Sequence, residues 1–291
     1  MNKITCYIKR GLSYIINGQP IVQVNANIVS LAKNDLLKGK TALITGGTSG
    51  IGYAIAEAFL NAGANVIITS RSQEKAVKIA AQLQQDHNAQ LVIGIKMDNE
   101  NIESFKQTLT TIYSKLGDNK LDILVNNAGI RGGRWGKTTM EEYDRVMDTN
   151  LKGVFFLSEL VAKYMIDNDV HGNILNICSA SSLRPANSAY CLSKWGIRAL
   201  TEGMAKTLIP YDIVVNGIAP GPTATPMFGL DSNDNLTAGS QPNKRFTTIE
   251  EIASMAVIYV SDMGRTLVGD IAYMTGGAAL LTYDDNNYEL K

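Results

Sequence analysis

Histidine and cysteine are scarce in this chain of 291 residues, which contains two histidines and three cysteines. A zinc or iron site built mainly from histidine is therefore excluded, and Cys6, Cys178 and Cys191 lack the spacing of metal ligands. Because three cysteines cannot form a disulfide framework, we expect a reduced, cytoplasmic protein. Both histidines, His87 and His171, lie in polar connections and are expected at the surface.

Charge imbalance and long apolar runs are absent as well. The 27 basic residues equal the 27 acidic residues in number, so no overall positive charge attracts nucleic acid. No apolar run reaches the roughly 18 residues that cross a bilayer, and the N-terminal residues lack the apolar core of a signal peptide. We therefore expect neither a nucleic-acid partner nor a membrane partner. No G-x-S-x-G motif is present, which disfavours a serine hydrolase.

The chain does contain a regular alternation of short β-branched runs with longer amphipathic stretches. The runs begin with TALIT (Thr41–Thr45) and recur as NVIITS, QLVIGI, LDILVN, GNILNIC, DIVVNGI and GDIAYM. Helical patterns lie between them, at Ile51–Ala62, Glu74–Gln85, Ile102–Lys115 and Glu250–Val260. This alternation predicts the α/β class, with a Rossmann-type, doubly wound parallel sheet of about seven strands.

The same patterns predict a single domain with extensions at both ends. We expect residues 39–282 to form this domain, residues 1–38 an N-terminal extension and residues 283–291 a C-terminal tail. In the extension, Asn17-Gly18 between apolar residues favours a β-hairpin, although Pro20 weakens its second strand. We interpret the extension as an accessory hairpin or a subunit contact, with a disordered leader as the alternative.

A glycine-rich turn follows the first predicted strand. TGGTSGIG places Gly46, Gly50 and Gly52 between that strand and a helix that begins near Ile51. Glycines there let the backbone approach a pyrophosphate, and the N-terminus of the helix favours its negative charge. A P-loop would need Lys-Ser/Thr after the last glycine, whereas Tyr53-Ala54 follows, which disfavours a nucleoside triphosphate.

Further short motifs follow in a fixed order along the chain. They are Asp98, Asn126-Asn127-Ala128-Gly129, Asn150, Ser179, Tyr190-x-x-x-Lys194 and Pro220-Gly221. Together with TGGTSGIG, this ordered set resembles the short-chain dehydrogenase/reductase family over about residues 38–280. The resemblance implies a Rossmann-type fold and hydride transfer with a nicotinamide cofactor.

Tyr190 and Lys194 are four residues apart, so they share one face of the predicted helix Ala189–Leu208. A free phenol ionises only near pH 10 or so, and a neighbouring ammonium stabilises the phenolate. Proton transfer by a phenol at neutral pH therefore needs such a pair. The family resemblance assigns Tyr190 as the general acid/base.

The resemblance also implies roles for Ser179 and Asn150. Ser179 would hold the substrate oxygen, and Asn150 would hold a water that links the lysine to solvent; a helix N-cap or a bend is the alternative role for Asn150. Ser179 stands eleven residues before Tyr190, a spacing shorter than is usual in the family. We favour Ser179 because it ends a predicted strand, with Ser181 as the alternative.

The glycine loop, the second strand and the resemblance together predict a site for a dinucleotide cofactor. Its predicted residues are Gly46, Thr48, Ser49, Gly50, Ile51, Arg71, Asp98, Asn126, Gly129, Tyr190, Lys194, Pro220, Gly221, Thr223 and Thr225. By resemblance, Asp98 contacts adenine, Asn126 braces the sheet and the ribose, and Thr223 and Thr225 contact the carboxamide.

The end of the second strand distinguishes the two nicotinamide cofactors. It reads Thr69-Ser70-Arg71-Ser72, without the acidic residue that grips the ribose 2′-hydroxyl of NAD. The guanidinium of Arg71 suits a 2′-phosphate. We therefore expect NADP, with NAD as the alternative cofactor, in which case Arg71 would stack on adenine or point to solvent.

The sequence thus predicts an NADP-preferring oxidoreductase that interconverts a ketone and a secondary alcohol of small size. One alternative is a cofactor-binding sensor or assembly subunit with vestigial activity, which a broken Tyr/Lys/Ser group would mark. A sugar epimerase or dehydratase would instead carry T-G-x-x-G-x-x-G. We expect a homodimer or homotetramer, because the helices predicted at Leu151–Asp167 and Ala189–Leu208 carry apolar residues on more than one face.

The substrate itself leaves little signal in the sequence. Residues 227–246 occupy the place of the family's variable substrate lid and are mostly polar. Four residues near the predicted site either grip an anionic or sugar-like carbonyl compound or are ordinary loop and interface residues: Arg131, Arg134, Trp135 and Arg184. A polar keto compound and a 3-oxoacyl thioester both fit this composition.

Overall fold

One parallel sheet organises the computed structural model, which describes residues 31–225, 229–230, 234–238 and 241–281. Its seven strands are β1 (Thr41–Ile44), β2 (Asn65–Ser70), β3 (Val92–Lys96), β4 (Ile123–Asn126), β5 (Asn173–Ile177), β6 (Val214–Pro220) and β7 (Ile271–Met274). Their order is β3-β2-β1-β4-β5-β6-β7, and all neighbouring pairs are parallel. The predicted Rossmann-type sheet is confirmed.

Helices cover both faces of the sheet. Within the described residues they are α1 (Gly50–Asn61), α2 (Gln73–Asp86), α3 (Phe105–Lys115), α4 (Met140–Met147), α5 (Gly153–Asp167), α6 (Ala189–Leu208) and α7 (Ile249–Val260). One apolar core joins α1, α2 and α7 to the sheet, and a second core joins α3, α5 and α6 to it. Burial on both faces explains why the strands are continuous apolar runs in the sequence.

Two helical segments differ from the sequence prediction. The helix predicted at Leu151–Asp167 begins at Gly153, and a π-helical turn, Asp148–Lys152, joins it to α4. Helix α4 is not predicted from sequence, because its segment MEEYDRVM has only eight residues, half of them charged, and buries only Val146. The π turn places Asn150 in the interior of the protein.

The prediction of a surface position for His87 is wrong. This residue is 7% exposed and directly follows the last residue of α2, and burial lowers the pKa of its imidazole. His171, in contrast, is exposed as expected. The segment after α2 is polar, so its sequence gives no sign that His87 is buried.

Some expectations from the sequence lie beyond the described residues. The hairpin at Asn17-Gly18 and the tail at residues 283–291 belong to this group. In the part of the chain that the structure describes, no helix is both long and apolar enough to cross a membrane. The same residues contain no cluster of three or more His, Cys, Asp or Glu side chains that could hold a metal.

The strand order creates a natural binding position. The chain passes from β1 to β2 and β3 on one side, and then returns to β4 on the other side of β1. In open α/β sheets, ligands bind beyond the carboxyl ends of the strands at this reversal of direction.

Candidate active site

A cavity of about 590 Å³ lies beyond the carboxyl ends of the strands at that reversal. It brings together nearly all the residues that the sequence predicts for a site: Gly46, Thr48, Ser49, Gly50, Ile51, Arg71, Asp98, Gly129, Ser179, Tyr190, Lys194, Pro220, Gly221, Thr223 and Thr225. Two predicted site residues, Asn126 and Asn150, do not line the cavity.

The glycine loop forms one wall of the cavity and suits an anion. Gly46 and Gly50 have φ values of 64° and 56°, a conformation that favours glycine. A Cβ on Gly52 would lie 2.5 Å from the carbonyl oxygen of Gly46, so the turn leaves no space for a side chain. Helix α1 begins here with no side-chain hydrogen bond at Ser49 and no acidic residue in its first turn. Its N–H groups and positive end therefore remain available to a phosphate.

Thr45 and Asn127 fasten the ends of β1 and β4 together beneath this loop. The hydroxyl oxygen of Thr45 accepts hydrogen bonds from the backbone N–H groups of Asn127 and Ala128, each at 3.0 Å. The Asn127 amide donates to the carbonyl oxygens of Thr45 (2.8 Å) and Gly46 (3.2 Å). Neither residue is assigned a role from the sequence, although both lie in motifs that signal the site.

Asn126 lies behind the cavity wall instead of on it. Its side chain is buried, and its amide donates to the hydroxyl of Ser158 and to the amide oxygen of Asn176, both at 2.9 Å. These bonds brace β4 against β5 and α5, whereas the expected contact with a ribose has no support in this geometry. Asn127 and Ala128, which directly follow β4, line the cavity in its place.

Tyr190 and Lys194 occupy the first turns of α6, as their spacing predicts. The ammonium of Lys194 lies 5.9 Å from the centroid of the Tyr190 ring and donates to the carbonyl oxygen of Ile177 at 2.8 Å. Lys194 is only 6% exposed, so its position is fixed by packing and by that bond. A buried positive charge beside the phenol attracts the negative charge that the phenol acquires on losing its proton.

The side chain of Asn150 is buried behind the cavity lining, where it binds Ile130 and Ser193. Its amide oxygen accepts from the backbone N–H of Ile130 at 2.8 Å, and its amide nitrogen donates to the carbonyl of Ile130 and to Ser193. A Cβ on Gly129 would lie 3.4 Å from the Asn150 oxygen and 3.8 Å from the Lys194 nitrogen. Asn150 and the Lys194 ammonium thus both lie close to Gly129, and Asn150 stands in the π turn and not at a helix N-cap.

Both candidate serines reach the cavity, with different hydrogen bonds. Ser179 directly follows Cys178 after β5 and begins the 3₁₀ turn Ala180–Leu183, where its hydroxyl oxygen accepts from the backbone N–H of Ser181 at 3.1 Å. Within the described residues, the Ser179 hydroxyl has no acceptor for its own proton. That proton is therefore available to a ligand in the cavity.

Positive charge marks the far end of the cavity, beyond β2 and β3. Arg71 and Lys75 are exposed and line this end together with Ser70. Asp98 lies there too, and its carboxylate accepts from the backbone N–H of Glu100 at 3.2 Å, so it caps a turn in addition to lining the cavity. Lys75 is not predicted from sequence, because a lysine in the first turn of an exposed helix carries no distinctive signal.

Cys178 also lines the cavity, but burial raises the pKa of its thiol to about 11. A thiol with this pKa remains protonated at neutral pH and is a poor nucleophile. Cys178 is therefore a poor candidate for nucleophilic chemistry in this cavity.

The chain resembles known proteins over most of its length. A family profile described as short chain dehydrogenase matches residues 40–235. The 3-oxoacyl-[acyl-carrier-protein] reductase FabG of Haemophilus influenzae is 36% identical over 250 residues, which cover 84% of this chain and 100% of the relative. The NAD-dependent glycerol dehydrogenase of Listeria innocua is 33% identical, with coverages of 82% and 93%.

A solved structure extends the likeness to three dimensions. The crystal structure of a short-chain type dehydrogenase/reductase from Mycobacterium marinum has a TM-score of 0.74 at 30% identity, and the match covers 83% of this chain and 96% of the other. Family profile, relatives and structure agree with the motifs that meet at the cavity. The chain belongs to the short-chain dehydrogenase/reductase family of NAD(P)-dependent oxidoreductases.

Proposed function

We propose that this protein is an NADP-preferring oxidoreductase that interconverts a ketone and a secondary alcohol, with Tyr190 as general acid/base. The main support is the meeting of the Tyr190–Lys194 pair and Ser179 with the glycine loop around one cavity. An intact Tyr/Lys/Ser group disfavours the alternative of a sensor or assembly subunit with vestigial activity.

The residues around the cavity fit a nicotinamide dinucleotide. The glycine loop and the N-terminus of α1 would hold its pyrophosphate, and Asp98 its adenine. Arg71 and Lys75 would hold a 2′-phosphate, and the residues after β6, Pro220 to Thr225, its carboxamide. When bound, the nicotinamide supplies a hydride to the carbonyl carbon of a ketone.

Side chains of the protein bind and protonate the oxygen of that ketone. Ser179 donates a hydrogen bond to the oxygen, and Tyr190 transfers its phenolic proton to it as negative charge develops. Lys194, held by the Ile177 carbonyl, stabilises the phenolate that remains. Asn150, which like Lys194 lies close to Gly129, would hold the water through which a proton returns from solvent. In the direction of alcohol oxidation, the phenolate accepts the hydroxyl proton.

A panel of ketones and secondary alcohols, followed by nicotinamide absorbance with both cofactors, tests this proposal. We expect turnover of at least one pair, with a higher kcat/KM for NADPH than for NADH. Equal values for the two cofactors would contradict the NADP preference but leave the reaction intact. Cofactor binding without turnover of any compound would favour the alternative of a vestigial enzyme.

Replacing Arg71 with Ala should weaken NADPH binding by about ten- to 150-fold, the value of one charge-assisted contact of about 1.5–3 kcal/mol. NADH binding should stay nearly unchanged, because NADH lacks the 2′-phosphate. Fluorescence titration with both cofactors measures the effect, which should shrink as salt screens this exposed charge. Lys78→Ala, an exposed charge on α2 outside the cavity, is the control. Equal weakening of both cofactors would contradict a 2′-phosphate contact.

The protein is also expected to form a homodimer or homotetramer. Phe155 and Phe156 on α5 are 48% and 38% exposed, and Leu192 and Trp195 on α6 are 44% and 39% exposed. Light scattering should therefore give at least twice the chain mass of 31.5 kDa. Phe155→Glu should shift the mass toward that of one chain, whereas Met263→Glu, an exposed apolar residue elsewhere, should not. A wild-type mass of one chain at micromolar concentration would contradict the prediction.

A further inference from the structure

Two arginines line the catalytic end of the cavity. Arg131, beyond β4, and Arg184, beyond β5, line the cavity on the side of the sheet that also carries Tyr190. Asp98 is the one acidic residue among the described lining residues, and it follows β3 at the opposite end. Among the lining residues, those beside Tyr190 therefore carry only positive charge, while the carboxylate of Glu142, behind the lining, accepts from the N–H of Gly133 at 3.0 Å.

Hydrogen bonds to backbone carbonyl oxygens hold the backbone at or beside both arginines next to α6. Directly after Arg131, the carbonyl oxygens of Gly132 and Gly133 accept from the N–H groups of Tyr190 (3.4 Å) and Ala189 (2.8 Å). The carbonyl oxygen of Arg184 accepts from the indole N–H of Trp195, also on α6, at 2.8 Å. Both side chains thus begin at positions that are set relative to Tyr190.

The guanidinium of Arg184 makes no hydrogen bond or ion pair within the part of the chain that the structure describes. The residue is exposed. Other arginines of the chain do have partners: Arg198 lies 3.6 Å from a carboxylate oxygen of Glu202, and Arg245 makes two bonds to Glu251. Arg184 therefore offers its full planar set of donors to the cavity.

We infer that Arg184, together with Arg131, binds a carboxylate or phosphate group of the substrate, so that the substrate class is an anionic ketone and its alcohol. This inference rests on the proposed function. A guanidinium binds either anion through two parallel hydrogen bonds, which would orient the ketone relative to Tyr190. Among the substrates left open by the sequence, it favours a polar keto acid or keto phosphate over a neutral sugar or thioester.

Pairs of charged and neutral ketones test the substrate class. The charged members are pyruvate, acetoacetate, levulinate and dihydroxyacetone phosphate, and the neutral members are the three methyl esters and dihydroxyacetone. With NADPH, at least one charged ketone should have a kcat/KM about tenfold above that of its partner. The charged ketone with the higher kcat/KM, a keto acid or the keto phosphate, shows whether the site prefers a carboxylate or a phosphate. If every neutral ketone is reduced as well as its charged partner, the inference is overturned while the proposed reaction stands.

Substitutions then assign the preference to a residue. Arg184→Met should lower kcat/KM for the preferred charged ketone by about tenfold or more and leave its neutral partner unchanged, and Arg184→Lys should restore part of the loss. Arg145→Met, which replaces an exposed arginine on α4 outside the cavity, is the matched control. An equal loss for both ketones, or a comparable loss of NADPH affinity in Arg184→Met, would overturn the assignment to substrate.

A binding measurement keeps the inference independent of turnover. Calorimetry on the protein saturated with NADP⁺ compares each charged ketone with its neutral partner. Tighter binding of a charged ketone, lost in Arg184→Met, would support the anion site even if no compound were reduced and the proposed function failed. Equal or undetectable binding of all charged ketones, without charge-dependent turnover, would overturn it.

Discussion

Tyr190→Phe is expected to lower kcat/KM for ketone reduction by about 10²- to 10⁴-fold, the usual value of a positioned general acid. The variant loses only the phenolic hydroxyl. The ring, the helix cap at Ser188 and the bond from Lys194 to the Ile177 carbonyl all remain. Because the glycine loop and Arg71 are untouched, NADPH should bind with nearly unchanged affinity. The loss therefore belongs to the proton-transfer step.

Steady-state rates and fluorescence titration of NADPH on the same preparation measure the two quantities. Tyr211→Phe is the matched control, because Tyr211 is 53% exposed and lies outside the cavity. It should leave both the rate and the affinity unchanged. Retention of more than about a tenth of the wild-type rate in Tyr190→Phe would rule out Tyr190 as the principal acid, given the usual size of this effect.

The fold could be predicted from sequence where one physical pattern dominates. The run NVIITS coincides with β2, Asn65–Ser70, because a strand buried on both faces is apolar throughout. The predicted helix Ala189–Leu208 coincides with α6, whose N-terminus is set by Ser188. Helix α4 is not predicted, because it has only eight residues, half of them charged, and buries only Val146.

The site could be predicted to the level of segments but not always to the level of side chains. Motifs at strand ends locate the cavity, yet β4 is buried on both faces, so its sequence does not tell whether Asn126 or Asn127 faces the cavity. The arginines present the same problem. Arg131 lines the cavity and Arg134 does not, because Gly132 and Gly133, with φ values of 142° and 71°, turn the chain between them.

The choice between Ser179 and Ser181 depends on hydrogen bonding that only the structure provides. Ser179 is 8% exposed, and its oxygen is held by the N–H of Ser181 at 3.1 Å. A hydroxyl fixed through its oxygen can direct its proton toward a ligand without further ordering. Ser181 donates this bond through its backbone N–H, which a substitution of the Ser181 side chain does not remove.

Ser179→Ala should therefore lower kcat by about 10²- to 10³-fold, as loss of one donor to a developing oxyanion does, whereas Ser181→Ala should cost much less. Ser179→Thr should recover much of the activity, because the backbone there is extended (φ −167°, ψ 151°) and accepts a β-branched residue that keeps the hydroxyl. Ser179→Ala also removes the cap of the 3₁₀ turn, so thermal unfolding of each variant must accompany the rates. If removal of the cap caused the loss of rate, Ser179→Ala would have a lowered Tm, whereas the Tm of Ser181→Ala would be unchanged. The reverse order of rates, with Ser181→Ala the slower enzyme at unchanged Tm, would assign the substrate oxygen to Ser181.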